Sequence, residues 1–277
     1  MIKYFIGPMS KNVVDSVIEL DNPIVGFIPS RRQVDYDGGY VNNWTTKQFS
    51  EYVNNRVVIQ RDHGGESQGN KQDDGLTSFL FDANYFDIIH VDPWKAYQDF
   101  DLGLQNTIDC MNFIYDEVGN KKVKFEVGTE ESIRRFEVDE LEKLLSLLEK
   151  KLNPNIFENN INVVVQSGVG LDLGHSKNTC EFGEKRFSDM IKVCNKFGKK
   201  SKEHNGDYLS VDEYKLRFDL GMDAINIAPQ FGQLETLCYL EEMGDDIEDY
   251  YKICYESKQW EKWVDKDFDP EDNKKEL

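Results

Sequence analysis

The sequence contains few cysteines, no closely spaced pair of them and no long hydrophobic run. The five cysteines form no Cys-x-x-Cys motif among 277 residues, which argues against a disulfide framework and against a zinc ribbon. No stretch approaches the roughly 20 apolar residues that span a bilayer, and residues 1–8 lack the apolar run and cleavage site of a secretory signal. We therefore expect a soluble, cytoplasmic protein whose cysteines are reduced.

Basic residues are outnumbered by acidic ones. Lys and Arg number 33 against 52 Asp and Glu, so the formal net charge is −19 and the pI is about 4.6. A surface of that sign repels nucleic acid and membrane lipid of negative charge, so neither is a predicted partner. The glycine motifs of dinucleotide-binding and P-loop proteins are absent. With 39% hydrophobic residues, the chain has ample material for a globular core.

The sequence does contain a repeated switch between short β-rich runs and longer amphipathic stretches, which is typical of βα units around a parallel sheet. Eight runs are predicted to be strands: Lys3–Ile6, Ile24–Ile28, Val57–Ile59, Ile88–Val91, Val123–Val127, Asn162–Val165, Lys199–Glu203 and Ala224–Ile227. Seven stretches are predicted to be helices: Asn12–Leu20, Lys47–Val53, Leu76–Ala83, Gln105–Val118, Val138–Leu152, Glu184–Phe197 and Val211–Leu220. A further helical stretch follows Phe231.

This order of elements predicts a (β/α)8 TIM barrel over residues 1–243, with a helical extension and charged C-terminal tail over 244–277. A flavodoxin-like sheet or a split two-domain arrangement stays open, because the first and seventh strands have the weakest patterns. Trp260 and Trp263 are three residues apart in the extension. On one helix face they would pack against the barrel or contact another subunit.

Histidines are concentrated at the ends of the predicted strands, where barrel enzymes hold their chemistry. Three of the four, His63, His90 and His204, lie at or beside these ends, and His175 is predicted to be a surface residue. Two imidazoles from different strands and a carboxylate commonly hold a divalent ion with positions open for substrate. We predict that His63 and His204 bind a divalent metal, with Glu126 or His90 as the third ligand. The alternative is that these histidines only form hydrogen bonds in a polar mouth.

Two aspartates accompany the histidines. Asp62 directly precedes His63, and at a strand end both side chains can reach the mouth. A carboxylate there can act as a general acid or base, since an ion stabilises the enolate left when the proton moves. Asp92, two residues after His90, is a second candidate for this acid/base role. The competing interpretations are that Asp62 orients His63 and that Asp92 makes a buried hydrogen bond.

Several basic residues lie at the same strand ends: Arg31, Arg32, Arg61, Lys95 and Lys202. Arg binds phosphate through two parallel hydrogen bonds, and glycine-rich turns such as Gly38-Gly39 offer backbone N–H groups, although such pairs also form plain turns. The pattern therefore predicts an anionic, phosphorylated substrate. Other residues predicted to bind it are polar or small and lie at the strand exits: Ser30, Gln33, Gly39, Gln166, Asn205 and Asn226.

Six short motifs, in order between about residues 24 and 230, resemble the tagatose-bisphosphate aldolase accessory subunits and, more remotely, the class II fructose- and tagatose-bisphosphate aldolases. They are Gln33-Val34 with Gly38-Gly39-Tyr40, Asp62-His63, His90-Val91-Asp92, Gly128-Thr129-Glu130, Val165-Gln166-Ser167-Gly168-Val169 and His204-Asn205-Gly206-Asp207-Tyr208. Any one of these motifs is short, but the ordered set is fairly specific and covers most of the chain.

The resemblance implies a (β/α)8 barrel and a divalent metal, often zinc, held by His63 and His204, with Asp62 as the acid/base group. Glu126-Val127-Gly128 is similar to a Glu-x-Gly near the metal of the catalytic aldolases, which makes Glu126 a further candidate catalytic residue. Gln166 replaces the third metal-binding histidine of those aldolases, and Arg32 and Lys202 stand where the family has Asn and Glu. These departures indicate a diverged substrate.

The leading hypothesis is a metal-dependent aldolase or C4-epimerase acting on a ketose phosphate, in which Asp62 moves the proton of the C4 hydroxyl. A second hypothesis is a non-catalytic accessory subunit that stabilises a separate class II aldolase chain. A third is a metal-dependent sugar isomerase that works by proton transfer alone. We expect a homo-oligomer or a pairing with a related aldolase chain.

Overall fold

A closed ring of parallel strands forms the centre of the molecule. The computed structural model describes residues 2–118, 123–158, 161–168, 170–172, 175–244, 246–258, 260–261 and 268–274. Eight strands pair side by side in this order: β1 (Tyr4–Ile6), β2 (Val25–Phe27), β3 (Val58–Gly64), β4 (Ile88–Val91), β5 (Lys124–Val127), β6 (Ile161–Val164), β9 (Lys200–Glu203) and β10 (Ala224–Ile227). The ring closes because β10 pairs with β1. Two short strands between β6 and β9, β7 (Leu171–Asp172) and β8 (Lys177–Asn178), lie outside the ring. The closure confirms the predicted barrel, and the flavodoxin-like alternative is wrong.

Helices surround this ring. They are α1 (Lys11–Leu20), α2 (Thr46–Val53), α3 (Leu76–Tyr85), α4 (Phe100–Val118), α5 (Val138–Lys151), α6 (Pro154–Glu158), α7 (Glu184–Lys196), α8 (Val211–Asp219), α9 (Pro229–Met243) and α10 (Glu248–Ser257). Of the predicted starts, the start of α4 was the least accurate, because the Asp99 side chain caps the amides of Asp101 and Leu102 and begins the helix earlier. The sequence did not predict α6 or the small hairpin of β7 (Leu171–Asp172) and β8 (Lys177–Asn178).

The two faces of the strands have different surroundings. Outward-facing side chains such as Ile89 and Val91 pack against the helices in the main apolar core. Inward-facing residues form a small apolar plug near one end of the barrel: Phe5, Ile28, Ile88 and Ala224. Because side chains alternate along a strand, the next inward positions belong to another layer, and these are polar and fully buried: Gln60, His90, Glu126 and Lys202. The fold thus buries a polar layer directly above an apolar one.

Strand β3 is longer than predicted and irregular at its end. It continues past Ile59 to Gly64, and its register against β4 shifts between Arg61 and Gly64. His63 has a φ of 43°, which lies in the left-handed region. This conformation is unfavourable for any residue that has a side chain. A bulge of this kind redirects side chains. Asp62 and His63 therefore face the same mouth although they are adjacent in sequence.

Two helices follow the last barrel strand: α9 lies within the range predicted for the barrel, and α10 within the range predicted for the extension. None of the side chains on α9 is buried, whereas Tyr251 on α10 is. Trp260 lies beyond α10 rather than within a helix, and its ring stacks on Tyr255. Trp263, the other half of the predicted helix face, lies outside the described residues. No helix in the described ranges combines the length and apolar character that crossing a membrane requires.

A buried ion pair joins β3 to α3 and contacts the loop after β2. Arg61 donates to both carboxylate oxygens of Asp82 on α3, at 2.8 and 2.7 Å. Its third nitrogen donates to the carbonyl oxygens of Pro29 and Val34, at 3.0 and 2.8 Å. Both side chains are fully buried. The pair therefore holds the loop after β2 in place beside β3.

We expect Asp82→Asn to lower the free energy of unfolding by about 3–5 kcal/mol, because it leaves a buried guanidinium without its counter-charge. Urea denaturation followed by circular dichroism measures the loss. Asp219→Asn is the matched control, since Asp219 pairs with Lys215 on the exposed surface of α8. A loss no larger in Asp82→Asn than in the control would contradict this role of the pair.

Candidate metal centre

Four side chains meet at the mouth of the barrel: Asp62, His63, His90 and His204. Each offers one ligand atom, and these atoms all lie within 4.8 Å of one another. The ring centroids of the three histidines are 4.9 to 5.2 Å apart. The structure thus brings together three strand ends, those of β3, β4 and β9, that are far apart in the sequence.

One nitrogen of each imidazole is held by an acceptor of this chain. His63 Nδ1 lies 2.5 Å from Asp92 Oδ2, and His204 Nε2 lies 2.8 Å from Glu126 Oε1. His90 Nε2 lies 3.0 Å from the carbonyl oxygen of Gly128. Carbonyl and carboxylate oxygens only accept, so these three nitrogens carry the hydrogens. The tautomer and orientation of each ring are fixed by these bonds, as is usual for histidines that bind metal.

The opposite nitrogens face the centre of the cluster. His63 Nε2 and His204 Nδ1 each lie 3.6 Å from Asp62 Oδ1. His90 Nδ1 accepts a long hydrogen bond, 3.3 Å, from the backbone amide of His63. Asp62 Oδ1 is buried and has no hydrogen-bond partner. Imidazole nitrogens around an unpaired, buried carboxylate oxygen suit a divalent ion such as zinc. The residues present therefore fit the predicted metal.

The carboxylates around the histidines favour positive charge. Burial alone lowers the pKa of His63, but Asp62 and Asp92 raise it to about 10. Burial lowers the pKa of His90 to about 4, against the attraction of Glu126 and Asp92. Although burial raises the pKa of Asp92, its hydrogen bond from His63 holds it below the usual range. The potential that stabilises a proton on His63 would also stabilise a metal cation in its place.

Glu126 and Lys202 form a charged pair beneath the histidines. Lys202 Nζ lies 3.2 Å from Glu126 Oε2, and both side chains are buried. Burial lowers the pKa of Lys202. Burial raises the pKa of Glu126, but Lys202 and His204 hold it well below its ordinary value. Glu126 is therefore a carboxylate that can keep accepting the hydrogen of His204. Glu126 contacts the His204 nitrogen that faces away from the cluster. Asp92 contacts the corresponding nitrogen of His63.

Of the basic residues predicted to bind substrate, Arg31, Arg61 and Lys202 are engaged inside the protein. Arg31 is buried and pairs with Asp35 and Asp73, at 2.9 and 2.6 Å. Arg61 is bound to Asp82, and Lys202 faces Glu126. These contacts arise from the direction of each side chain, which its place at a strand end does not reveal. Of the predicted set, Arg32 is exposed, and among the described residues no ion pair is found for it.

Three neutral residues of the predicted set make contacts within the protein. Gln33 receives the amide hydrogen of Ser30 and donates to Met9 Sδ, so it braces the loop after β2. Gly39 packs against that loop, because a Cβ at this position would lie 2.1 Å from the Gln33 carbonyl oxygen. Asn205 donates to the Gly168 carbonyl oxygen over 3.4 Å.

The side chain of Gln166 is bonded to the segment after β5. It accepts from the amide of Phe136 and donates to the carbonyl oxygens of Thr129 and Arg134, each at 2.8 Å. These bonds brace the segment after β5. The third imidazole of this centre comes instead from His90 on β4, one of the two alternatives that the sequence left open.

Three residues with a place in the site were missed. Thr129 donates to Asp92 Oδ2 over 3.1 Å, and the Gly-Thr-Glu motif was the available signal. Gln60 is buried and neither of its side-chain polar atoms has a partner. Its position two residues before Asp62, on the same face of β3, pointed to the barrel interior. Asp207 caps the start of α9 and gave no signal beyond its motif.

Comparison with known proteins identifies the fold. Neither a known protein family nor a curated protein sequence matches the chain. A probable tagatose 6-phosphate kinase from Sinorhizobium meliloti 1021 superposes with a TM-score of 0.76 at 14% identity, over 100% of this chain and 80% of that one. The YdjI aldolase from Escherichia coli K12 gives 0.57 at 15% identity, over 88% and 81%. The fructuronate-tagaturonate epimerase UxaE from Cohnella laeviribosi gives 0.59 at 12% identity, over 92% and 63%. The chain has the TIM-barrel fold that these proteins share.

Replacing Lys202 tests the arrangement behind His204. We expect Lys202→Met to weaken zinc binding by about 10-fold to 100-fold, because Glu126 would lose the charge that keeps it ionised and would no longer orient the imidazole. Competition with a chromophoric chelator measures the affinity. Lys200→Met, on the same strand but at the other end of the barrel, is the control. Equal affinities for the two variants would show that Lys202 does not act on the centre.

Proposed function

We propose that this protein is a metal-dependent sugar aldolase or C4-epimerase that acts by reversible aldol chemistry on a ketose or ketose phosphate. The single observation that supports this most strongly is the convergence of three oriented imidazoles and Asp62 at the mouth of the barrel. The TIM-barrel fold, shared with aldolases and an epimerase, agrees with the proposal.

In this mechanism, His63, His90 and His204 would hold a divalent cation, most simply zinc. When bound, the ion supplies stabilisation of the negative charge that develops on substrate oxygens. Glu126 and Asp92 act through the imidazoles as positioning residues, since each accepts a hydrogen from one ring. The protein's own contribution is therefore a fixed set of lone pairs and one accessible carboxylate.

Asp62 is the acid/base group of the proposal. Its side chain retains 18% exposure, so a substrate hydroxyl in the mouth can reach it. The carboxylate takes the proton of the C4 hydroxyl, the C3–C4 bond breaks, and its electron pair passes to the carbonyl-bearing fragment as an enediolate. Cleavage is completed when the aldehyde is released and the proton held by Asp62 passes to C3 of the enediolate, which restores the carboxylate. Rotation of the aldehyde before the bond re-forms, with return of the proton from Asp62, inverts C4.

The substitution Asp62→Asn tests this role. We expect turnover to fall by about 10²-fold to 10⁴-fold, because the amide cannot accept the proton. The bound metal should remain, since the three imidazoles are unchanged. Product analysis by NMR, scoring both cleavage and C4 inversion on a panel of ketoses and ketose phosphates, is combined with metal analysis of the same samples. Asp219→Asn serves as the control of equal charge change. Near-normal turnover in Asp62→Asn would remove Asp62 from the mechanism.

A second candidate function is a non-catalytic subunit paired with a separate aldolase chain or with copies of itself. The observation that favours it is α9, which buries none of its side chains and exposes Leu234, Leu237 and Tyr239. Metal content separates the two candidates. A pure chain with no stoichiometric divalent ion, whose partner's activity is unchanged by His204→Ala, would favour the accessory role.

A further inference from the structure

The loop after the seventh barrel strand, β9, places a carboxylate at the start of α9. Asp207 Oδ1 accepts hydrogen bonds from the backbone amides of Ala228 and Gln230, each 2.9 Å away. Asp207 is almost fully buried. Burial raises its pKa to about 6, against the lowering effect of the two amides, so the group is mainly ionised at neutral pH. The N-terminus of α9 therefore already has a negatively charged partner from this chain.

This position matters for substrate charge. TIM barrels that bind phosphate frequently do so between the loops after strands seven and eight, at the N-terminus of a helix. Here the two loops are those after β9 and β10, and the amides that would bind a phosphate oxygen are bonded to Asp207. A phosphate in this place would have to displace a carboxylate or approach it against like-charge repulsion.

Several further bonds keep Asp207 where it is. The amide of Gly206 donates to the carbonyl oxygen of Asn226, and that of Tyr208 to the Gln230 side chain. Asn178 on the small hairpin donates to the carbonyl oxygens of Asn205 and Asp207, at 3.0 and 3.1 Å. A Cβ at Gly206 would lie 2.6 Å from the Asn226 carbonyl oxygen, so this loop rests directly on β10. Moving the carboxylate aside would break a set of bonds rather than one.

Three of the five basic residues at the strand ends are already balanced by the protein, whereas Arg32 and Lys95 are exposed. Arg31, Arg61 and Lys202 face carboxylates of the protein, as described above. The buried oxygens Asn226 Oδ1 and Gln60 Oε1 lack hydrogen-bond partners, as do two buried donors, Gln60 Nε2 and Lys202 Nζ. An unpaired amide oxygen requires a donor, which a sugar hydroxyl supplies and an ionised phosphate does not.

We propose that the substrate is an unphosphorylated ketose, whose hydroxyls are bound at the mouth by neutral groups such as Asn226, and that Asp207 excludes a phosphate from the seventh and eighth strand loops. The inference rests on the proposed function for the identity of the sugar. The exclusion of phosphate depends only on Asp207 and the two amides that it contacts.

The first experiment tests phosphate binding without reference to turnover. Inorganic phosphate is titrated into the zinc-loaded full chain at neutral pH, and the amide signals of Ala228 and Gln230 are followed by NMR. We expect no saturable shift in the wild type, and a gain in affinity of at least about tenfold in Asp207→Ala, which removes both the charge and the oxygen that occupies the two amides. Asp219→Ala, with the same charge change on the exposed surface, should behave like the wild type. Saturable wild-type shifts at these two amides would overturn the proposal, even if Asp207→Ala does not fold.

The second experiment compares matched sugars. The zinc-loaded chain is given D-tagatose and D-fructose beside their 6-phosphates and 1,6-bisphosphates, and cleavage and C4 inversion are scored by NMR. We expect kcat/KM for an unphosphorylated sugar to exceed that of its phosphates by at least about tenfold. A preference for a phosphorylated sugar would overturn this inference while supporting the proposed function. Absence of turnover with every sugar would count against the proposed function, and the phosphate titration would still decide the exclusion.

Discussion

The candidate site depends on the orientation of three imidazoles, each held by one nitrogen so that the other faces a common centre. A histidine that is free to rotate offers a cation a different atom in each rotamer, whereas a bonded ring offers only one. Here Asp92, Glu126 and the Gly128 carbonyl oxygen supply the three bonds. All three acceptors lie at the ends of β4 and β5, so the barrel positions the acceptors as well as the ligands.

Three buried cations near this mouth are balanced within the protein. Arg31, Arg61 and Lys202 each face carboxylates that the fold itself provides. A buried ion without such a partner would cost several kcal/mol. Each of these cations is therefore needed by the buried carboxylate that it faces. Three basic residues near the mouth thus serve the framework, while unpaired amide groups and Asp62 remain for a ligand.

Much of the fold follows from local pattern, because short apolar runs and amphipathic stretches at regular intervals already specify βα units. The departures have nonlocal causes. β3 extends beyond its predicted end because its bulge is defined against β4, which lies more than 20 residues later. The hairpin of β7 and β8 consists of two-residue strands, too short to carry a period. Trp260 follows a helix end at Lys258, in the left-handed conformation, that periodicity alone does not reveal.

The sequence by itself determined which residues have the chemistry for the site: Asp62, His63, His90 and His204 lie at strand ends, and their side chains bind cations and move protons. Only the tertiary structure decided which of them meet. It selected His90 over Glu126 as the third member of the cluster and turned Arg31 and Arg61 inward. It also brought Asp207 to the start of α9. The reason is that residue type fixes what a side chain can do, whereas its neighbours are set by strand register and by the closure of the ring.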